Sequence, residues 1–163
     1  MRCSVGFDKT NESNQKTNKG VIMGIDQHAH LRGHNVDWQK YFDDDKDECS
    51  KVFVWRKHAR LQQFMSAKWE EQNQAHEGHE GNLAHLGFNA GDGAVYITDE
   101  VLKDLKKAID TDFKDYVAED GFFWGQQFQE ESVKEYKEQD IKFLKFCEQA
   151  INEKKVVEYW CSW

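Results

Sequence analysis

Proline is missing from all 163 residues. Together with the wealth of Lys, Asn, Asp and Glu, that absence fits a gene from an AT-rich genome. No apolar run reaches membrane length, which excludes a spanning helix, and the N-terminus carries no signal-peptide core. The four cysteines (Cys3, Cys49, Cys147, Cys161) lie far apart with no Cys-x-x-Cys pair, so the reading is free thiols in a reducing compartment. A basic excess is lacking too. The net charge is −8, with both signs mixed along the chain, which argues against a nucleic-acid groove and for solubility. The acidic runs are too short and sparse for a DNA mimic. Phosphate-cradling glycine loops, the dinucleotide glycine fingerprint and a nucleophile elbow are likewise missing. Ser162 sits in a strand-like run without the sharp turn a serine nucleophile needs.

What is present is bulky apolar material. Hydrophobic residues make up 39% of the chain, with six Trp and eleven Phe, too much for a disordered protein and enough for one core. Residues 1–20 are polar and read as a flexible N-terminal extension, leaving 21–163 as a single globular domain. Residues 21–31 alternate as a strand does, putting Asp26, His28 and His30 on one face. An acidic stretch over 41–50 reads as a solvated loop. From Val54 onward, His58, Leu61, Met65 and Trp69 recur at helical steps and make one apolar face. Residues 73–93, rich in Gly and His, read as loop, and 94–97 as a short strand. Thr98 suits the N-cap of a helix that buries Val101, Leu102, Leu105, Ala108 and Ile109, with Asp99 and Glu100 at its positive end. After an aromatic turn at 121–125, a long helix over about 130–153 points Val133, Tyr136, Ile141, Leu144, Cys147 and Ile151 inward. The chain closes on a strand at 156–163, with Val157, Tyr159, Cys161 and Trp163 on one face. The order β-α-β-α-α-β predicts an α+β or α/β fold, a small three-stranded sheet packed with about three helices.

Several constellations invite a chemical reading. Asp26, His28 and His30, with His34 nearby, have metal-ligand types at strand spacing, but a polar sheet face is the favoured reading. A metal, if held at all, would be held by His28, His30 and His34. His76, His79 and His85 sit among glycines that would leave ligands unorganised. Asp43, Asp45 and Asp47 open like a calcium loop. Glu48 then stands where that loop needs Gly, and Val54 where it needs Glu. In Trp55-Arg56-Lys57-His58, a tryptophan beside two cations at a helix start is suited to a phosphate or a stacked base. The competing reading makes Trp55 an anchor, pairs Arg56 and Lys57 with carboxylates, and puts His58 in the core.

Four segments together resemble a family of small bacteriophage and prophage proteins without an established activity or cofactor. They are Met23-Gly24-Ile25-Asp26, Trp55-Arg56-Lys57-His58, Gly121-Phe122-Phe123-Trp124-Gly125 and Tyr159-Trp160-Cys161-Ser162-Trp163. The resemblance implies a phage origin and makes residues 1–22 an extension before the family's usual start. Asp26 matches the family pattern, whereas His28 and His30 fall where it asks for no histidine. Some members carry the label phosphoglycerate kinase, which this chain has neither the size nor the two domains to support.

With no assembled catalytic constellation, the expected role is a phage accessory protein that binds and modulates a host protein in the cytoplasm of the infected bacterium. Trp124, Phe128 and Trp163 are the expected partner-binding residues. The alternatives are a nucleotide- or phosphorylated-ligand-binding protein or enzyme using Asp26, Trp55, Arg56, Lys57 and His58, and a minor structural virion component. No cofactor, membrane or nucleic-acid partner is expected, and a homo-oligomer is left open.

Overall fold

In the computed structural model, the residues described are 25–73, 93–118 and 126–162, with backbone alone for 126–128. The elements are β1 (Asp26–Leu31), α1 (Trp38–Phe42), α2 (Lys46–Lys51), β2 (Val52–Arg56) and α3 (Ala59–Gln72). They continue with β3 (Val95–Ile97), α4 (Asp99–Asp110), a 3-10 turn (Lys114–Tyr116), α5 (Gln126–Asn152) and β4 (Val157–Ser162). The fold is α+β. Among the described residues, four strands form one antiparallel sheet in the order β2-β1-β4-β3.

The expected count of three strands falls one short. The added strand is β2, where Val52-Phe53-Val54-Trp55 was expected to lead straight into a helix. These β-branched and aromatic side chains favour a pleated surface. In the register Gln27↔Trp55 and Ala29↔Phe53 they pair along β1. The helix begins at Ala59 instead, after Lys57 takes a left-handed φ of 58° and His58 caps it. The acidic stretch is not a loop either. Asp37 accepts from the Lys40 N–H and starts α1, and Asp45 accepts from the Asp47 and Glu48 N–H groups and starts α2.

One sheet face builds the core. Gln27, Ala29, Trp55, Val95, Ile97, Val157, Tyr159 and Cys161 are buried there, below Leu61, Phe64 and Met65 of α3, Leu105 and Ile109 of α4, and Phe143 and Cys147 of α5. Phe143 meets the Trp55 ring edge-on at 5.0 Å and Phe53 at 5.2 Å, geometries that aromatic quadrupoles favour. The expected N-cap Thr98 accepts from the Val101 N–H. Ile141, expected inward, is 38% exposed because it lies on the solvent side of α5. The opposite face, with Asp26, His28, His30, Val54, Arg56 and Trp160, lies partly beneath α1.

Both sheet edges are closed by side chains. At β3 the Gln72 amide of α3 donates to Tyr96 O at 2.7 Å and accepts from Tyr96 N–H at 3.0 Å, as a neighbouring strand would. At β2 the Tyr136 hydroxyl of α5 accepts from Arg56 N–H at 3.0 Å and donates to Arg56 O at 3.2 Å. Gln139 donates to Val54 O at 2.7 Å. Unpaired strand edges template association, and these contacts remove the template. Tyr136→Phe uncaps Arg56 while keeping the ring. It should cost about 1 kcal/mol and raise the tendency to self-associate. Urea unfolding and sedimentation at rising concentration check this, and an unchanged monomer of unchanged stability would show the cap to be idle.

Candidate functional site

The stretch Trp55 to His58 divides between two environments. Trp55, on the core face of β2, donates from Nε1 to Asp140 Oδ1 at 2.8 Å. The other oxygen, Oδ2, lies 3.0 Å from His58 Nε2. His58 Nδ1 accepts from the Leu61 N–H at 3.4 Å, so the ring proton sits on Nε2 and points at the carboxylate. The imidazole stacks on Tyr136, with centroids 5.4 Å apart at 14°, and meets Phe113 edge-on. Its backbone is held by Gln27, which accepts from His58 N–H at 2.9 Å and donates to His58 O at 3.1 Å. His58 is 0% exposed and Asp140 2%. A histidine with both nitrogens engaged and no path to solvent is a helix cap and core residue, not an acid or base.

Polar contacts continue inward. Gln27 donates to the Tyr159 hydroxyl at 2.8 Å, which donates to Gln62 Oε1 at 2.7 Å. Gln62 in turn reaches Cys161 Sγ at 3.3 Å. Complete burial holds the Tyr159 hydroxyl well above its ordinary range, so it stays protonated and keeps donating.

Arg56 and Lys57 turn the other way, into a groove of about 770 Å³. Its walls come from three places. Trp38, Tyr41 and Phe42 of α1 form one side; Asp26, His28 and Arg56 of the outer sheet face form the floor; Glu131, Glu135 and Tyr136 of α5 form the other side. Ser132 Oγ donates to Lys57 O at 3.1 Å, which ties the left-handed junction to α5. Asp26 faces Arg56 across the strand pair, Oδ1 to Nε 3.8 Å, with both side chains more than half exposed. Such a pair contributes little to stability. It does place an opposite charge beside the guanidinium.

The α1 wall rests on the histidine cluster. His28 and His30 stack at 5.6 Å, and Trp38 meets His28 edge-on at 5.3 Å. His30 donates from Nδ1 to Leu31 O at 3.0 Å, and His34 Nε2 lies 3.0 Å from Glu48 Oε1. Glu48 also accepts from the Asp37 N–H, so a largely buried carboxylate of α2 holds the turn that leads into α1. Among the described residues no three His, Cys, Asp or Glu side chains form a metal-holding group.

The expected ligand-binding residues therefore separate. Asp26, Arg56 and Lys57 line the groove, where Trp55 reaches its floor, while His58 is withdrawn into the core. Trp124, Trp163 and the histidines at 76, 79 and 85 lie outside the described residues, as does the side chain of Phe128. The α1 aromatics, the α5 carboxylates and Asp140 went unread in the sequence. Asp37, four and five residues before Tyr41 and Phe42, was a legible cap-plus-aromatic signal. Nothing local marks Asp140, whose partners lie 82 and 85 residues away.

Two measurements check this description. Asp140→Ala strands two buried N–H donors and should cost about 3–5 kcal/mol in urea unfolding, while Asp140→Asn, which keeps one acceptor, should cost about 1–3. A loss below about 1 kcal/mol in the alanine variant would remove the carboxylate from its structural role. The second concerns pH. Burial, with the charge of His30 added, holds the His28 imidazole down at about 4, against an ordinary value of 6.5. Above pH 6.5 the ring is neutral whether the chain is folded or not. Below it the unfolded chain takes up the proton first, so stability falls from pH 6.5 to about 4 and then levels. Discounted for partial exposure, the loss is about 1–2 kcal/mol. His28→Asn should flatten that slope; an unaltered slope assigns the acid sensitivity elsewhere.

No protein-family model matches this chain, and neither a curated protein nor a solved structure is significantly similar to it, so the groove is read from its own residues.

Proposed function

We propose that this is a small phage-encoded accessory protein that binds and modulates a host protein, seating a segment of that partner in the groove between α1 and α5. The observation that carries the reading is the placement of exposed aromatic surface. Phe42 is 65% exposed and Trp38 38%, and both belong to the same short helix at the groove's rim. Large apolar side chains left in water beside a concave site are what protein interfaces use as anchors. Arg56 on the floor adds the residue type most often found beside such anchors. The resemblance of the segments at Met23, Trp55 and Tyr159 to phage proteins supports the phage assignment.

A second reading has one observation in its favour. Asp26 and Arg56 are register partners, so two of the residues expected to bind a phosphorylated ligand lie side by side. The groove's charge weighs against it. Three carboxylates, Asp26, Glu131 and Glu135, line the space that a phosphate would share with Arg56 and Lys57, and like charges at that range disfavour an anion.

A photo-crosslinker in place of Phe42 is the direct test. Host lysate should yield one protein whose cross-linked peptide is the same in repeated captures. Trp38→Ala and Phe42→Ala should each weaken that purified partner's binding by about tenfold or more, the range of a hot-spot truncation. Unchanged affinity in both variants rejects the groove as the contact. A thermal-shift panel of nucleotides run on the same protein gives the second reading its chance, since saturating ligand adds about 2.7 kcal/mol at a hundred times its Kd.

A further inference from the structure

We propose that a cavity between the first turn of α3 and α5 is a second binding site, one that takes the phosphate group of a small molecule. It lies outside the groove and does not rest on the binding role above.

The cavity holds about 550 Å³ and is lined by Arg60 of α3, Asp112 just past α4, and Glu130, Val133, Lys134 and Lys137 of α5. The groove uses Glu131, Glu135 and Gln139, so the two spaces draw on different faces of that helix. Part of the cavity's charge is committed to holding the end of α4. Lys137 donates to Ile109 O and to Asp112 Oδ1, the latter at 2.6 Å. Arg60 Nη1 donates to Asp112 O at 3.0 Å. Carbonyls at a helix C-terminus favour cations, and that accounts for Lys137 and Asp112 together.

It does not account for the rest of Arg60. Its guanidinium pairs with no carboxylate among the described residues, and Nε is buried without a hydrogen-bond partner. An unmet donor on a charged group costs free energy and calls for a counter-charge nearby. The position in the chain adds to this. Arg60 is the second residue of α3, where the helix dipole favours an acid, and the first turn carries none. Lys134 brings a further cation that forms no ion pair among the described residues. Of the lining residues, Glu130 alone opposes these two. Phosphate suits the arrangement better than a carboxylate. It offers oxygens in three directions and close to two charges, so it can meet Arg60 of one helix and Lys134 of another at once. At −8 overall the chain repels anions at a distance. Salt screens that repulsion beyond about 8 Å, and the site acts at contact range.

Inorganic phosphate is the probe, titrated into the full chain at constant ionic strength and about pH 7.5, where it is mostly dianionic. Acetate is the control. In NMR the Arg60 Nε–H signal should shift and saturate with a Kd of about 1 mM or below. Acetate should bind about tenfold more weakly. Lys134→Gln should weaken phosphate binding about tenfold, and Glu130→Gln, which removes the opposing charge, should tighten it about threefold. Both residues are exposed, so neither change should disturb folding. No saturable shift up to about 20 mM phosphate overturns the inference, as does equal affinity for acetate. A loss of phosphate binding in Arg56→Gln with none in Lys134→Gln also overturns it, because the phosphate would then sit in the groove.

Discussion

A single buried carboxylate decides where the groove's residues can be. Asp140 takes a hydrogen bond from Trp55 on one oxygen and lies in hydrogen-bond contact with His58 on the other. One residue of α5 thus grips the end of β2 and the cap of α3 together. Between those two anchors the chain has only Arg56 and Lys57. With Trp55 and His58 drawn inward, strand alternation sends Arg56 out, and the left-handed Lys57 reverses the chain so that α3 can begin. A carboxyl group buried this deeply is tolerated because both oxygens are engaged; removing the partners would leave its polar atoms unmet. Anchoring and display are therefore one arrangement. The outer members of Trp-Arg-Lys-His hold the backbone, and the inner two line the groove.

A second device recurs across the molecule. Gln27, Gln72 and Gln129 each pair their amide with both backbone groups of one residue: His58, Tyr96 and Ala118. A carboxamide carries a donor and an acceptor side by side, the same pair that a strand residue presents. Gln72 uses this to finish a sheet edge. Gln27 fixes the strand-to-helix junction beside the groove, and Gln129 ties the chain after the 3-10 turn to α5. Each bond is worth only about 1 kcal/mol, but leaving the paired backbone groups buried and unmet would cost more. Side-chain closure also explains how so short an edge as β3 is held, with no further strand beside it among the described residues.

How much of this was legible follows from the range of each interaction. β3, α4 and β4 were readable because their signals are local: the Thr98 cap, the acidic first turn, and the Val157, Tyr159, Cys161 alternation. The face His58, Leu61, Met65, Trp69 was also real. Carried back to Val54, it swallowed β2, because an apolar run next to a helix satisfies either period and only pairing with β1 decides between them. Glu48 was misjudged for a related reason. In an acidic stretch a carboxylate reads as solvated, yet this one is buried by accepting from the Asp37 N–H and contacting His34. Asp26 and Arg56 were grouped as one ligand-binding set, but only the register of β1 and β2 brings them side by side.

The His58–Asp140 pair shows why proximity alone does not make a site. An imidazole beside a carboxylate has the outline of a catalytic dyad, and the distances fit one. Catalysis, however, needs the second ring nitrogen to face a substrate, and here Nδ1 accepts from the helix it caps. Tyr136 covers the ring face, and the hydroxyl of that same tyrosine closes the strand edge at Arg56. Opening His58 to a ligand would require moving Tyr136, which exposes the edge of β2. The core arrangement is thus locked by what it supports, and chemistry is directed outward to the side chains that the same lock leaves in water: Arg56 on the floor, Trp38 and Phe42 on the rim, and Glu135 opposite them. A surface of that composition sets aromatic rings beside charges of both signs.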